Sequence, residues 1–232
     1  MLGPHQIYDD RFLARIRALQ PRSLLDVGCG AGALIARVSE TVRRAAGIEA
    51  DAGQVAAAEA RGLEVHLGRA EALPFAAESF DLVTFQFVPH HLPDWPASLR
   101  EALRIAQRGV MILEGWYERG FPAQDVAARY EDWAKRIDRS TGMVHALYPS
   151  AMELLSPLGD SIDYHPEYRV ETSHDRVHQL KPYDEVAADA EKQLGLLRDP
   201  AVARAELQPI LADARRHGLA YEGALTVTIL KA

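Results

Sequence analysis

The sequence predicts an α/β fold, a doubly wound and mostly parallel sheet with helices on both faces. Three observations carry that expectation. Strand-like runs alternate with helical patterns through the first 115 residues. The first such run passes straight into Gly28, Gly30 and Gly32 and then into a helical pattern. After residue 115 the alternation gives way to mainly helical segments, and the chain closes on a β-branched stretch. Five β-α units in series need crossovers, and right-handed crossovers put a ligand at the carboxyl ends of the strands.

Taken in order, residues 5–19 carry Ile7, Phe12, Ile16 and Leu19 at near-helical spacing, and Pro21 closes that helix. Residues 23–27 (SLLDV) form a short apolar run ending at Gly28, as a buried strand does. A helix is expected over 33–44 and a second strand over 45–49. Asp51 is placed to cap a helix reaching Arg61, with Gly62 at its end. Residues 64–68 and 80–87 (FDLVTFQF) are the third and fourth strands, 96–107 a helix, and 109–114 (GVMILE) the fifth strand. Beyond these, 121–139 is amphipathic through Val126, Tyr130, Trp133 and Ile137, and 149–158 is a shorter helix. A strand is expected near 164–172, helices over 183–197 and 200–217, and a last strand over 224–230 (ALTVTIL). The whole chain, 1–232, is expected to be one domain. Its core covers about 20–115 plus 223–232, and a largely helical cap covers about 116–222.

Composition narrows the function. The 232 residues are 48% hydrophobic and 25% charged, the ordinary balance of a chain with a packed core. Net charge is 26 − 33 = −7, which argues against a nucleic-acid partner because phosphate binding needs a basic face. One cysteine, Cys29, excludes a disulfide framework or a thiolate metal cluster, and no carboxylate cluster has metal-ligand spacing. No apolar run reaches the ~18 residues of a membrane span, and His5, Asp9, Asp10 and Arg11 occupy a region that would be apolar in a signal peptide. These features predict a cytoplasmic location without membrane attachment.

The strand–glycine–helix turn at LLDVGCGAG brings backbone close to a ligand. Dinucleotide sites share this feature. Their third glycine would fall at Ala33, where alanine is tolerated, so the spacing leaves a nicotinamide cofactor open. Glu49 closes the second strand, 21 positions after Gly28, where a carboxylate can accept from both hydroxyls of a ribose.

On LLDVGCGAGAL (24–34), GIEAD (47–51), GRAEALPF (68–75), ESFDLVTFQFVPHHLPD (78–94) and RIAQRGVMILE (104–114), the chain resembles the class I S-adenosylmethionine-dependent methyltransferases. It looks most like the subfamily that methylates small molecules. The resemblance implies a Rossmann-like, seven-stranded, mostly parallel sheet whose final antiparallel strand is supplied by ALTVTILKA. It implies S-adenosylmethionine as cofactor, with Gly28, Cys29 and Gly30 beside its methionine part. Asp26 would orient the loop or meet the ammonium group, Glu49 would hold the ribose, and Ala50 would flank the adenine. In GRAEALPF the family often has an acidic residue where this chain has Arg69, which can only donate. Either Arg69 stacks on the adenine, or Glu71 or backbone near Ala70 supplies the acceptor. Gln86 ends the fourth strand where cofactor and substrate would meet, and Tyr8 could close over the cofactor.

His90 and His91 follow the fourth strand at the same edge. One of them, His91 first, is the candidate to orient or deprotonate the acceptor. Cys29 fits the loop as a small residue; methyl transfer needs no covalent enzyme intermediate. The segment QFVP (86–89) lacks the Asn/Asp-Pro-Pro-Tyr pattern of adenine or glutamine methylation. His145, Tyr148, His174 and His178, like Trp116, Tyr117, Tyr130 and Trp133, are expected to pack or face solvent, with one or two of the aromatics touching substrate. Two alternatives stand beside a small-molecule methyltransferase: a nicotinamide-dependent oxidoreductase, and a cofactor-binding protein without transfer activity. RNA or protein methylation is disfavoured by the acidic charge and the large cap.

Overall fold

A computed structural model describes residues 6–148, 150–159, 167–173 and 179–231, with backbone alone at 6 and 167–173. The chain divides into two compact units: Met1–Glu114 with Ala151–Glu171 and Leu225–Ala232, and Gly115–Ser150 with Thr172–Ala224. Residues 151–171, expected in the cap, group with the first unit.

The first unit opens with α1 (Gln6–Leu19), which buries Tyr8, Phe12, Leu13 and Ile16. Strand β1 (Ser23–Val27) leads through the glycines into α2 (Ala33–Val38). The helix expected over 33–44 stops at Val38 because two hydroxyls take its last carbonyls. Ser39 Oγ donates to Ile35 O at 2.7 Å and Thr41 Oγ1 to Val38 O at 2.9 Å. Strand β2 (Arg44–Glu49) follows, then α3 (Ala52–Glu59), whose cap Asp51 accepts from the Gln54 N–H at 2.9 Å. After α3 come β3 (Glu64–Leu67) and β4 (Phe80–Gln86), which ends one residue before the expected Phe87. Helix α4 (Trp95–Ile105) is capped by Asp94, which accepts from the Ala97 N–H at 2.9 Å. Strand β5 (Ala106–Trp116) starts three residues earlier than the apolar run GVMILE suggests, because Ala106 already pairs with Phe80 of β4.

Helix α5 (Pro122–Ser140) belongs to the second unit. Helix α6 (Ala151–Leu155) returns to the first and runs into a single 3-10 turn, Ser156–Leu158, which holds Pro157. Trp95 Nε1 donates to Leu154 O at 2.7 Å, tying α6 to α4. Strand β6 is Glu167–Ser173; the start expected at Tyr164 lies outside the described residues, as do His174 and His178. Helices α7 (Tyr183–Leu194) and α8 (Ala201–His217) and strand β7 (Gly223–Leu230) complete the chain.

The sheet order is β3-β2-β1-β4-β5-β7-β6. Neighbours from β3 through β5 are parallel. Against β5, Arg108 lies by Lys231 and Gly109 by Ile229, so β7 runs antiparallel. The chain winds outward from β1 in one direction through β2 and β3, then in the other through β4. That reversal opens a crevice at the carboxyl ends of β1 and β4. Leu24, Leu25, Ile48, Leu82, Val83, Phe85, Val110, Met111 and Ile112 fill the sheet with continuous apolar strands, as burial on both faces demands.

The second unit has its own core, in which Val126, Tyr130, Trp133 and Ile137 of α5 pack with Val186, Ala190, Leu194, Leu207 and Ile210. Two aromatic polar ends in it are paired: Trp133 Nε1 donates to Ala203 O at 2.9 Å and Tyr130 Oη to Asp189 at 2.7 Å.

Where β5 meets β7, a Cβ at Gly109 would lie 2.2 Å from the Ile229 carbonyl oxygen. Backbone cannot yield as a side chain can. Gly109→Ala is therefore expected to lower unfolding stability by about 1–3 kcal/mol, read from the denaturant midpoint. A midpoint equal to wild type would mean that β7 is not held this close.

Candidate functional site

The carboxyl ends of β1, β2, β4 and β5 meet around the glycine loop. Gly28, Gly30 and Gly32 all have positive φ (70°, 52° and 79°), a conformation that side-chain-bearing residues rarely adopt. A Cβ on Gly28 would lie 2.7 Å from both Val88 methyls, and one on Gly32 would lie 2.5 Å from Leu63. A Cβ at Gly30 would have Gln54 Oε1 as its nearest atom, at 4.0 Å, an ordinary contact, so the loop is less crowded there than at Gly28 or Gly32. Gly47 of β2 makes room for Cys29, whose Sγ would be 2.4 Å from a Cβ at 47. Cys29 is a packing group: burial first, then the nearby Asp26 and Glu49, push its thiol up to about 12.

The loop's amides are used inside the protein. Gly28 and Cys29 N–H both donate to Ile48 O, at 2.8 and 3.1 Å, and Gly32 N–H donates to Cys29 O at 2.9 Å. Gly30 N–H donates to Glu49 Oε2 at 2.8 Å, while Ala50 and Asp51 N–H donate to Glu49 Oε1 at 2.8 and 2.9 Å. The Glu49 carboxylate thus joins the end of β2 to the loop after β1, a role that its position in the sequence does not reveal. Asp26 is 3% exposed and accepts from Thr84 Oγ1 at 2.8 Å. Burial pushes its carboxyl up to about 7, the Thr84 bond pulls down, and the charge of Glu49 adds to the rise.

Arg69 is largely exposed and donates to Glu71 Oε1 at 3.3 Å; Ala70 between them is buried. The arginine is therefore tied to the neighbouring carboxylate, and a short bridge between Arg69 and Ala72 closes the turn. Gln86 Nε2 donates to Asp9 Oδ1 at 2.6 Å. This fixes the end of β4 to α1, one residue from the buried Tyr8. Asp9 was not among the residues singled out by sequence; nothing in its helical context sets it apart.

Past Gln86 the backbone turns sharply. Phe87 has φ 54°, a strained value for an aromatic residue. Its N–H still donates to Leu113 O at 2.8 Å. The turn lays Val88 on Gly28 and starts a 3-10 turn, Pro89–His91, with Pro89 in its first position. His90 Nδ1 lies 2.7 Å from Glu114 Oε1, and the His90 N–H lies 3.4 Å from Glu114 Oε2. Glu114 is 3% exposed. The His90 and His91 rings are 4.1 Å apart between centroids, with His91 the more exposed. Glu114 was missed in the sequence, yet it carried a signal: a carboxylate closing the apolar run GVMIL at the ligand edge of a parallel strand.

Within the second unit, Tyr117, Arg119, Ala128, Arg129, Asp132, Leu147 and Tyr148 line a cavity of about 240 Å³. Of the aromatics noted by sequence, Trp133 and Tyr130 are core, while Tyr117 and Tyr148 face this cavity. Burial, with Glu131 and Glu222 nearby, holds the Tyr117 phenol well above its usual range. His145 Nδ1 pairs with Asp138 at 2.7 Å and closes the end of α5. No helix among the described residues is long and apolar enough to cross a membrane.

Residues 25–113 match the family described as a methyltransferase domain. A ubiquinone/menaquinone biosynthesis C-methyltransferase of Allorhizobium ampelinum is 33% identical over 162 residues, covering 61% of this chain and 60% of the relative. An uncharacterized methyltransferase of Bacillus subtilis is 33% identical over 110 residues, 44% of each chain. The chain spans about half the length of the curated relatives it matches. Among solved structures, a cyclopropane-fatty-acyl-phospholipid synthase-like protein from Lactobacillus casei superposes with TM-score 0.69 at 17% identity, covering 99% of this chain and 94% of that one. The Bacillus subtilis YcgJ protein gives TM-score 0.63 at 18% identity, covering 96% and 98%. These likenesses show the fold.

Asp26 gives the site a pH signature. Its folded value lies above its unfolded value, so the folded protein keeps a proton that the unfolded chain releases. This contribution to stability is full below about pH 4 and is lost as pH rises to about 7. Asp26→Asn is expected to remove that decline. Its stability relative to wild type should rise by on the order of a few kcal/mol across this window, measured by denaturation at stepped pH. Parallel curves for the two proteins would mean that Asp26 titrates normally.

Proposed function

We propose, from the match of residues 25–113 to the methyltransferase-domain family, that this chain transfers a methyl group from S-adenosylmethionine by in-line displacement to a small-molecule acceptor that gives up a proton. The observation that carries the reading is electrostatic. The crevice presents two carboxylates, Asp26 and Glu49, and a loop whose Gly28, Cys29 and Gly30 N–H groups already donate within the protein. A pyrophosphate would meet negative charge and would find these amides taken. A ligand carrying a sulfonium and an ammonium suits the same surface. This weighs against a nicotinamide dinucleotide and fits S-adenosylmethionine.

When bound, that cofactor supplies an electrophilic methyl group and leaves as a neutral thioether. The less crowded stretch of the loop at Gly30 receives its methionine part, and Asp26 stands beneath the loop as counter-charge. Glu49 uses its remaining lone pairs to accept from the ribose hydroxyls. Ala50 and the turn Arg69–Glu71 flank the adenine, with Glu71 supplying the acceptor that an arginine cannot. Gln86, anchored through Asp9 to the helix that carries Tyr8, lines the approach of the acceptor. His90 and His91 take the acceptor's proton or orient the atom that bears it. The enzyme's further contribution is alignment in a site closed to water.

We place acceptor selection in the second unit, which has its own core and the cavity bounded by Tyr117 and Tyr148. The curated relatives named for quinone C-methylation suggest a hydroquinone-type ring, in which losing a hydroxyl proton loads the ring carbon with electron density. The deciding experiment incubates the protein with methyl-labelled S-adenosylmethionine and panels of hydroquinones, phenols and amines. Label is expected in a hydroxyl-bearing aromatic. Label confined to amines would overturn the hydroxyl-bearing acceptor, and tight cofactor binding with no transfer to any compound would favour a non-catalytic binder.

Glu49 provides a second check. By calorimetry, Glu49→Gln is expected to weaken S-adenosylhomocysteine binding by about 1–2 kcal/mol and Glu49→Ala by about 2–3 kcal/mol, since alanine removes both ribose bonds and the tie to Gly30. Unchanged affinity in both variants would remove Glu49 from the ribose.

A further inference from the structure

We infer that a cavity at the amino end of the sheet, walled by Arg17, Arg22 and Arg43, is a binding site for a compact polyphosphate anion. The inference is independent of the reading of the glycine loop, and the cavity lies wholly within the first unit. It measures about 420 Å³, the size of a small-molecule site, and Gln20, Pro21 and Thr41 complete its lining. Strands β1 and β2 both start here, at Ser23 and Arg44, whereas the glycine loop follows the carboxyl end of β1.

The three arginines are set apart by the lack of a carboxylate. Elsewhere in the first unit arginines are neutralised: Arg37 by Asp10, Arg44 by Glu64 at 2.6 Å and Arg104 by Glu101 at 2.8 Å. Among the described residues no Asp or Glu pairs with the guanidinium of Arg17, Arg22 or Arg43, although the chain holds 33 acidic residues against 26 Lys and Arg. Asp81 Oδ2 accepts from the Arg22 backbone N–H at 2.6 Å, not from its side chain. Arg17 Nη2 reaches only the Arg37 carbonyl, at 3.5 Å. Three like charges around one concavity repel one another and focus a positive field into it, and an anion relieves both.

Backbone holds the cavity in shape. Arg22 O accepts from the Arg43 and Arg44 N–H groups at 2.8 and 3.3 Å, which joins the turn before β1 to the turn before β2. Gln20, left-handed at φ 49°, and the buried Pro21 end α1 at the same place. Arg108 donates to the Leu19 and Gln20 carbonyls at 2.8 and 3.3 Å, occupying acceptors that would repel an anion. Helix polarity accounts for Arg17 alone, since a cation in the last turn offsets the dipole. Nothing in the turns that carry Arg22 and Arg43 calls for a guanidinium.

The donors set the ligand class. A guanidinium grips phosphate oxygens through two parallel N–H bonds. Three of them match the charge of a diphosphate or triphosphate group, whether inorganic or carried by a nucleoside. A long nucleic acid would meet the rest of a chain with net charge −7, which repels it.

The test is calorimetry of the full chain with inorganic pyrophosphate. One saturable site is expected, with Kd below about 1 mM and weakening by about tenfold from low to physiological salt. Arg22→Gln and Arg43→Gln are each expected to weaken binding by about 5- to 10-fold, while Arg100→Gln and Arg198→Gln, which remove the same charge from exposed positions elsewhere, change it by less than about twofold. Equal losses in all four variants, or no saturable binding, overturn the site. Citrate binding as tightly as pyrophosphate overturns the phosphate assignment. Uridine diphosphate binding more tightly than pyrophosphate would make the ligand a nucleotide, and equal affinity would make it the diphosphate alone. A single-stranded oligonucleotide that binds more tightly still and is released by the Arg22 and Arg43 changes would overturn a compact ligand in favour of a nucleic acid. Nitrogen-15 NMR of the wild-type chain needs no variant: pyrophosphate is expected to shift the amides of Gln20, Arg22, Thr41 and Arg43, and shifts centred on residues 28–30 overturn the placement. Saturating pyrophosphate is expected to leave S-adenosylhomocysteine affinity within about twofold, so failure of methyl transfer leaves this site standing and loss of this site leaves methyl transfer standing.

Discussion

The site depends on how closely the chain after β1 approaches the end of β2. Gly28 and Cys29 both donate to the single carbonyl of Ile48, Gly30 donates to Glu49, and the Cys29 side chain fills the space where Gly47 has none. No residue larger than glycine fits at 47, because its Cβ would overlap Cys29 and Ile35. From this one contact follow the left-handed glycines and the placement of Glu49. Val88, arriving from β4, closes the other wall against Gly28.

Electrostatics then select among the ligands that such a strand–loop–helix turn could accept. Sites for dinucleotides aim free backbone amides at phosphate. Here those amides are turned inward and two carboxyl groups lie beneath. The cost of holding Asp26 in the interior is visible in its raised value near 7, moderated by the Thr84 hydroxyl. A buried carboxyl that hovers between its charged and neutral forms is poised to respond to a cation.

Much of this was legible in the sequence because it lies on backbone rules. Parallel strands buried on both faces read as apolar runs, and Asp51 read as the cap of the helix that follows it. The three spaced glycines located the turn from β1 into α2. What stayed hidden depended on tertiary approach. The expected helix over 33–44 was cut short by hydroxyls that bond locally, a competition that periodicity does not register. The early start of β5 at Ala106 is a pairing effect with Phe80. Asp9 and Glu114 acquire meaning only when distant segments meet: Asp9 lies 77 positions from Gln86 and Glu114 lies 24 from His90. Glu114 could have been suspected as the one charge closing a buried strand. Asp9 carried no such mark, and the tie between Glu49 and Gly30 looked from sequence like a ligand contact alone.

The packing of Cys29 has a consequence for the chemistry proposed at this loop. A thiolate is among the strongest nucleophiles that a protein possesses, and a methyl sulfonium is an alkylating agent. Under the proposed function, a cysteine in the glycine loop would invite self-methylation. With its thiol pushed up to about 12, Cys29 carries little thiolate at neutral pH. The sulfur also fills the space left by Gly47, with its thiol 3.5 Å from Gly30 O. The fold thus keeps a small, well-fitting side chain in the loop while denying it the charge that would make it a competing nucleophile.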